Sequence, residues 1–134
     1  MEIRDPVHGS IHIIKEEIPI LKNNFFQRLR NIKQLGFSEY VFPGATHTRF
    51  LHSIGVMHIG EKVFNSLFSD IQSTKECMRI KETFKLACLL HDIGHAPLSH
   101  STESVMPSLD KLNLSNRFLT EQDKSTARQA THED

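Results

Sequence analysis

The chain has 134 residues, 16 basic and 16 acidic, so its formal net charge at pH 7 is zero. This length suits one domain with a single core, and the balanced charge gives no electrostatic argument for nucleic acid or a membrane surface as a partner. The sequence also has no signal peptide and no apolar run near the ~20 residues that a membrane span needs. We therefore expect a cytoplasmic protein.

The two cysteines agree with a reducing compartment. If Cys77 and Cys88 lie on one helix, their spacing in the sequence puts them roughly 16 Å apart. That separation is too long for a disulfide, so two free thiols are predicted.

Residues 1–15 hold the only β pattern of the chain. Apolar residues on both sides of His8-Gly9 predict a short hairpin that turns near this pair. A helix is predicted over Leu21–Lys33 from apolar residues at helical spacing, with Gly36 as its stop. Residues 37–47 are predicted to form an irregular loop.

Three further helices are predicted, over about Thr48–Phe68, about Arg79–Asp92 and Ser99–Val105. The first should bury an apolar face made of Leu51, Ile54, Ile59, Val63, Phe64, Leu67 and Phe68. Gly55 and Gly60 inside it cost about 1 kcal/mol each relative to Ala. We expect another helix or a metal site to approach closely there. The predicted fold is mostly α with a small N-terminal hairpin, as one domain over residues 1–134, of which the polar segment 107–131 is expected to be partly mobile.

The main chemical signal is the run from His91 to His95, followed by His100. It comes directly after Leu86–Leu90, an apolar run that normally ends a buried helix. Polar side chains are costly there unless something binds them, and metal ions are the usual reason to gather His and Asp at a helix end. The alternative, an imidazole that caps helix carbonyls, explains only one of the histidines.

His52, followed about forty residues later by His91-Asp92, resembles the H…HD signature of the HD-domain metal-dependent phosphohydrolases. Four sequence blocks extend the resemblance to the deoxynucleoside triphosphate (dNTP) triphosphohydrolases, a subgroup that includes the animal enzyme joining a SAM domain to an HD domain. These blocks are Phe26–Gly36, Tyr40–His47, Arg49–Ser53 and His91–His95. The resemblance covers about residues 1–105 and implies the HD helical fold. Because that fold has additional helices, we expect this chain to be an N-terminal piece of a longer protein.

The resemblance implies a metal held by His52, His91 and Asp92. Imidazole and carboxylate donors suit Mn, Fe, Zn, Ni or Co, and the sequence does not choose among them. Mg²⁺ is a further cation that could accompany the substrate. The family has a fourth ligand, an Asp much later in the chain, and three acids here are too close to the HD pair for that spacing: Asp110, Asp123 and Asp134.

The resemblance also implies roles in substrate binding and catalysis. Arg49 would bind the phosphate chain, and Gln34 would lie near the sugar. His95, His100 and His132 would surround the α-phosphate and the attacking water, where an imidazole can transfer protons near neutral pH. Each of these histidines has an alternative as a packing residue, and Gln34 as a solvent-exposed helix end.

Two classes of function follow from these assignments. The first is a homo-oligomeric phosphohydrolase that splits dNTPs into deoxynucleoside and triphosphate, with another nucleotide phosphate ester as the nearest variant substrate. The second is a catalytically silent HD module that binds nucleotide or metal, because no fourth ligand can be assigned. Six intact residues favour the enzyme: His52, His91, Asp92, Arg49, His95 and His100. A structural descendant would have no physical reason to keep that many buried ionisable groups together.

Overall fold

The structure is a computed structural model that describes residues 1–71, 73–112, 114–115, 119–120, 123 and 128–131. Two long helices, α3 (Arg49–Leu67) and α4 (Lys75–Leu90), pack against each other, and an N-terminal hairpin and short helices complete the core. The predicted mostly α fold class with a small hairpin is confirmed. None of the helices in the described ranges is long and apolar enough to cross a membrane.

The hairpin consists of β1 (Glu2–Asp5) and β2 (Gly9–His12), which pair antiparallel as predicted. Asp5 holds the turn, because its Oδ1 accepts two backbone N–H groups of the turn at 2.8 Å each. Gly9 follows with a φ of +73°, a conformation that glycine adopts without strain. The pairing places Ile11 in the core, where it is almost fully buried.

The prediction of a single helix over Leu21–Lys33 is wrong. The chain forms α1 (Ile18–Lys22), α2 (Asn24–Gln27) and a 3-10 helix over Arg28–Asn31. The break occurs at Asn23, which is extended with a ψ of 137° and whose side chain accepts a backbone N–H of α2 at 2.9 Å. A capping side chain thus starts a new helix where hydrophobic spacing alone predicted continuation.

Gly36 is not the helix stop that was predicted, because the preceding 3-10 helix already ends at Asn31. It has a φ of +53° and begins a 3-10 helix over Gly36–Tyr40, inside the stretch predicted to be an irregular loop. A Cβ at this position would lie 2.9 Å from the carbonyl oxygen of Leu98. The glycine therefore allows the segment after α4 to pass close to the backbone here.

Helix α3 agrees with its predicted bounds to within one residue at each end, but its buried face differs. The buried apolar side chains of α3 are Phe50, Ile54, Met57 and Phe64. Four residues of the predicted apolar face are instead exposed: Ile59, Val63, Leu67 and Phe68. The predicted face was too wide, because only one stripe of the helix contacts the core.

Helix α4 begins four residues before the predicted Arg79 and ends two residues before Asp92. Thr74 starts it by accepting the N–H of Cys77 on its Oγ1 at 3.2 Å. After Leu90 the chain enters a turn, so His91 and Asp92 lie beyond the last helical residue. Because the helix ends early, the side chains of the adjacent His91 and Asp92 can approach each other, with Nε2 of His91 3.3 Å from Oδ1 of Asp92.

The close approach of another helix is confirmed at Gly60, whereas Gly55 is approached by His8, which lies in the turn of the hairpin. A Cβ on Gly60 would lie 2.9 Å from Sγ of Cys88, and one on Gly55 would lie 3.0 Å from Nε2 of His8. The contact of Gly60 with Cys88 brings α3 and α4 together in the last turn of α4. Cys77 and Cys88 are free thiols, as predicted.

A buried ion pair ties α4 to the segment before α1. Nζ of Lys85 lies 2.8 Å from Oε1 of Glu17, and both side chains are 2% exposed. Burial lowers the pKa of Lys85, but its hydrogen bond to Glu17 and the nearby Glu61 outweigh burial and raise the pKa above its usual value. The ammonium therefore stays charged inside the fold.

The described part of the C-terminal segment shows some backbone pairing. A 3-10 helix occupies the predicted Ser99–Val105, and another spans Leu109–Leu112. The N–H of Leu109 donates to the carbonyl of Arg128 at 2.9 Å. The mobility expected of parts of residues 107–131 stays a prediction.

Candidate metal centre and active site

The three predicted metal ligands meet where α3 passes the end of α4. His52 lies in the first turn of α3, whereas His91 and Asp92 occupy the turn after α4. Nε2 of His52 is 3.3 Å from Nε2 of His91 and 3.7 Å from Oδ2 of Asp92. Nε2 of His91 is 3.3 Å from Oδ1 of Asp92.

These separations fit one metal ion. Ligands bound at about 2.0–2.2 Å in tetrahedral or octahedral geometry lie roughly 3–3.6 Å from one another. A candidate ligand atom from each of His52, His91 and Asp92 lies within 4.8 Å of the other two. Among the described residues, this is the only group of three or more His, Cys, Asp or Glu side chains with such geometry.

The second ring nitrogen of His91 is already engaged. Its Nδ1 lies 2.8 Å from the carbonyl oxygen of Cys88, which can only accept, so Nδ1 carries the proton. Nε2 is then left with its lone pair toward His52 and Asp92. A backbone carbonyl that orients a histidine in this way is a usual partner of a metal ligand.

Asp92 is a buried carboxylate held in its charged form. Burial raises its pKa, but the hydrogen bond from Arg49 and the surrounding positive groups outweigh burial and bring the pKa below its usual value. Nη1 of Arg49 donates to Oδ2 of Asp92 at 2.7 Å, and the two side chains are 4% and 5% exposed. The arginine thus compensates the charge of a candidate metal ligand.

Arg49 is predicted from the sequence to bind phosphate, and its ion pair with Asp92 was not predicted. A signal was present, because Arg49 precedes His52 by three residues and therefore lies on the same face of α3. Burial is the first reason that the pKa of His52 is lowered, although Asp92 opposes the shift. A neutral imidazole is the form that binds metal.

The predicted catalytic histidines differ in their exposure and in their distance from Asp92. His95 is 1% exposed, and its Nε2 lies 3.5 Å from Oδ1 of Asp92. The ring of His100 meets that of His95 edge-on at 4.9 Å, but His100 is exposed and its Nδ1 lies 3.0 Å from Oε1 of Glu103. His132 lies outside the described residues.

Gln34 is positioned by its backbone, whose N–H donates to the carbonyl of His47 at 3.1 Å. Its side chain is partly buried, and Oε1 has no hydrogen-bond partner within the described part of the chain. The solvent-exposed helix end considered as an alternative is therefore not what is observed.

No fourth ligand joins the cluster from the residues that the structure describes. Asp123 accepts hydrogen bonds from Thr120 and Arg128, and Asp110 lies in the first turn of the 3-10 helix over Leu109–Leu112. Asp134 lies outside the described residues.

One further arginine reaches the site without a sequence signal. Arg28 donates from Nη1 to the carbonyl of His95 at 2.6 Å and from Nη2 to that of Ile93 at 2.5 Å. These contacts join residues more than sixty positions apart, which spacing in the sequence cannot predict.

A groove of about 800 Å³ runs along α3 beside His52. Apolar side chains line much of it: Val7, Leu51, Val56, Ile59, Val63 and Phe84. Ile59 and Val63 of the predicted apolar face of α3 line this groove, where the described chain does not cover them.

Comparison with known proteins agrees with the geometry. The HD domain family matches residues 49–130. An uncharacterized protein of Methanocaldococcus jannaschii is 43% identical over 101 residues, which are 75% of this chain and 20% of that protein. The deoxynucleoside triphosphate triphosphohydrolase SAMHD1 homolog of Dictyostelium discoideum is 37% identical over 116 residues, which are 87% of this chain and 22% of that protein.

Human deoxynucleoside triphosphate triphosphohydrolase SAMHD1 is 42% identical over 98 residues, 73% of this chain and 16% of the human protein. The chain thus spans less than a quarter of the length of these relatives. The family match covers more than half of the chain and includes His52, His91 and Asp92. The chain therefore belongs to the HD domain family of metal-dependent phosphohydrolases.

Proposed function

We propose that the chain forms the metal-binding part of an enzyme that hydrolyses dNTPs to deoxynucleoside and triphosphate. The observation that carries this proposal is the convergence of His52, His91 and Asp92 on one point, with buried His95 beside them. Support for the substrate comes from relatives named as dNTP triphosphohydrolases.

The metal would be held by Nε2 of His52, Nε2 of His91 and a carboxylate oxygen of Asp92. A bound divalent ion lowers the pKa of a coordinated water and polarises a phosphoryl oxygen. The negative charge of Asp92 and the neutral imidazole of His52 suit a divalent cation. Its identity, among Mn, Fe, Zn, Ni and Co, is not determined by this donor set.

Two side chains would act on the substrate directly. The guanidinium of Arg49 has five N–H donors, so it can hold Asp92 and still contact a phosphate oxygen. His95 would hold or transfer a proton at the phosphate, because it is enclosed and lies close to Asp92. His100, whose ring contacts that of His95 and is exposed to solvent, would exchange that proton with water.

The proposal is tested by product analysis after incubation with mixed dNTPs and Mn²⁺. Release of deoxynucleoside together with intact triphosphate is expected, and it would identify the α-phosphate as the point of attack. His91→Ala should abolish both metal retention and hydrolysis, whereas His12→Ala, on the exposed side of the hairpin, should change neither. Hydrolysis that survives His91→Ala would contradict the proposed site.

A catalytically silent metal-binding module is the second candidate. The absence of a fourth ligand among the described residues favours it. In that case the wild-type chain would retain metal but release no product from dNTPs or other nucleotide phosphate esters. Running a longer protein that contains the chain alongside it would separate a silent module from an incomplete site.

Homo-oligomer formation and a cytoplasmic location are also proposals. Light scattering of the purified protein, with and without dNTP, tests the first. Fractionation of cells that produce the protein tests the second.

A further inference from the structure

The turn that follows α4 is held from outside by one side chain. Arg28 points both terminal nitrogens of its guanidinium at this turn and donates to the carbonyls of Ile93 and His95 at 2.5 and 2.6 Å. Hydrogen bonds from a charged donor are short and strong, and a planar guanidinium can make two of them with fixed geometry.

The held carbonyls belong to the part of the backbone that carries His95. The N–H of His95 donates to the carbonyl of Asp92 at 3.1 Å, so this turn links the two residues directly. The imidazole of His95 is enclosed and lies 3.5 Å from the Asp92 carboxylate. A displacement of the turn by about 1 Å would therefore move a proposed catalytic group away from the reacting atoms.

Arg28 itself is attached to the core. It begins the 3-10 helix over Arg28–Asn31, between the fully buried Phe26 and Leu29. Its side chain is half-buried, and no described contact joins it to His52, His91 or Asp92. Any influence of Arg28 on the metal site must then pass through the backbone of residues 93–95.

We propose that Arg28 is a positioning residue, which fixes the turn after α4 and thereby the imidazole of His95 relative to Asp92. The inference deepens the proposed function and rests on it for its catalytic consequence. Arg28 would contact neither substrate nor metal. A lysine could replace the charge but not both hydrogen bonds, because its ammonium lacks the planar fork.

The test compares Arg28→Lys with Arg30→Lys, a matched control two residues away. The Arg30 guanidinium lies over the ring of Phe50 and donates to Gln27, and it makes no described contact with the turn. In the metal-free protein, amide hydrogen exchange of Ile93 and His95 should speed up by about tenfold or more in Arg28→Lys, and not in Arg30→Lys. Amides in the middle of α3 should exchange as in wild type.

The kinetic readout is the division between kcat and KM for the dNTP that the wild type hydrolyses best. In Arg28→Lys, kcat should fall by about tenfold or more while KM stays within about twofold, since only the positioning of His95 is lost. Equal exchange and equal kcat in the two variants would overturn the proposal. Exchange that speeds up evenly along α3 and α4 would also overturn it, because it would show a general loss of stability.

A measurement on the wild type covers the case in which Arg28→Lys does not fold. The Nη hydrogens of Arg28 should exchange with solvent more slowly than those of the exposed Arg79, and equal rates would contradict the two hydrogen bonds. If the wild type hydrolyses no dNTP, the proposed function fails. The exchange data still decide whether Arg28 holds the turn.

Discussion

Two buried ion pairs each include one residue of α4 or of the turn that follows it, and the two pairs differ in their neighbours. Lys85 lies in α4 and Glu17 lies directly before α1. Nζ of Lys85 is 2.8 Å from Oε1 of Glu17, and both side chains are 2% exposed. Arg49 and Asp92 lie 2.7 Å apart beyond the end of α4 and are nearly as buried. The two pairs differ in the kind of partly exposed neighbour they have. Lys85 lies 3.4 Å from the carboxylate of Glu61, which is 30% exposed, whereas Asp92 lies beside the imidazoles of His52 and His91, which are 33% and 38% exposed.

The difference separates a pair within the fold from a pair beside a candidate metal site. Both pairs cost desolvation free energy, which the attraction and the hydrogen bonds offset. Glu61, the partly exposed neighbour of Lys85, is already paired with Lys81 and Lys85, so the charges of this cluster are matched among its own side chains. Asp92 shares its carboxylate with two half-exposed imidazoles, so it can add a cation to the partner that it already has.

The largest expected effect is that of Asp92→Asn, which removes a metal ligand and the charge opposite Arg49. Metal affinity should fall by more than about 100-fold, since even the loss of outer partners of a ligand costs 10–100-fold. The free energy of unfolding should also fall, by about 3 kcal/mol, because Arg49 stays buried without its counter-charge. Calorimetric titration with Mn²⁺ and urea unfolding measure the two effects. The exposed Asp110→Asn is the control, and unchanged metal affinity in Asp92→Asn would contradict the site.

Lys85→Met should destabilise the fold to a similar degree without touching the metal site. The expected loss is about 3 kcal/mol, because Glu17 is left charged and buried. Lys81→Met is the matched control, since Lys81 pairs with Glu61 at a partly exposed position and should cost less than about 1 kcal/mol. Adding Glu17→Leu to Lys85→Met should recover much of the loss in urea unfolding. A change in metal affinity in Lys85→Met would mean that the two pairs are coupled.

Gly60→Ala tests the contact that sets α4 against α3 between the two pairs. The added Cβ would meet Sγ of Cys88 at 2.9 Å and the ring of Phe84 at 3.2 Å, so the free energy of unfolding should fall by about 1–2 kcal/mol. Gly44→Ala, which meets nothing within 4 Å, should be close to neutral. Because the Cys88 carbonyl orients His91, a weaker metal affinity should accompany the loss in Gly60→Ala. Thermal unfolding and metal titration of both variants check this, and equal stability would show that the helices shift freely.

The smallest expected effect is the pH dependence of the enclosed pair. The pKa of Lys85 is raised above its usual 10.5, so its contribution to stability is full below pH 10.5 and is lost as pH rises through the higher folded value. Burial raises the pKa of Glu61, but hydrogen bonds from Lys81 and Lys85 outweigh it and lower the pKa. Its contribution is therefore present above pH 4.5 and lost as pH falls below that value. Unfolding free energies across this range should show both declines, and Lys85→Met should lack the alkaline one.

Local patterns in the sequence were sufficient for several elements and failed at others for physical reasons. The hairpin near Gly9 and the span of α3 follow from turn chemistry and hydrophobic spacing, which act over a few residues. The break at Asn23 depended on a capping side chain, and the end of α4 depended on contacts made by the turn that follows it. The spacing of hydrophobic residues does not show whether a backbone N–H bonds within a continuing helix or to a capping side chain such as that of Asn23.

The sequence by itself determined the chemical content of the candidate site: three ligands, an arginine one turn before the first, and a histidine three residues after Asp92. His91, Asp92 and His95 follow from residue types at short spacings, whereas His52 and Arg49 follow from the resemblance to the HD-domain family. Only the tertiary structure decided that Arg49 pairs with Asp92 and that Arg28 holds the turn below His95. Which groups pair across 40 to 70 residues is set by how the helices pack, because burial penalises every charge left without a partner.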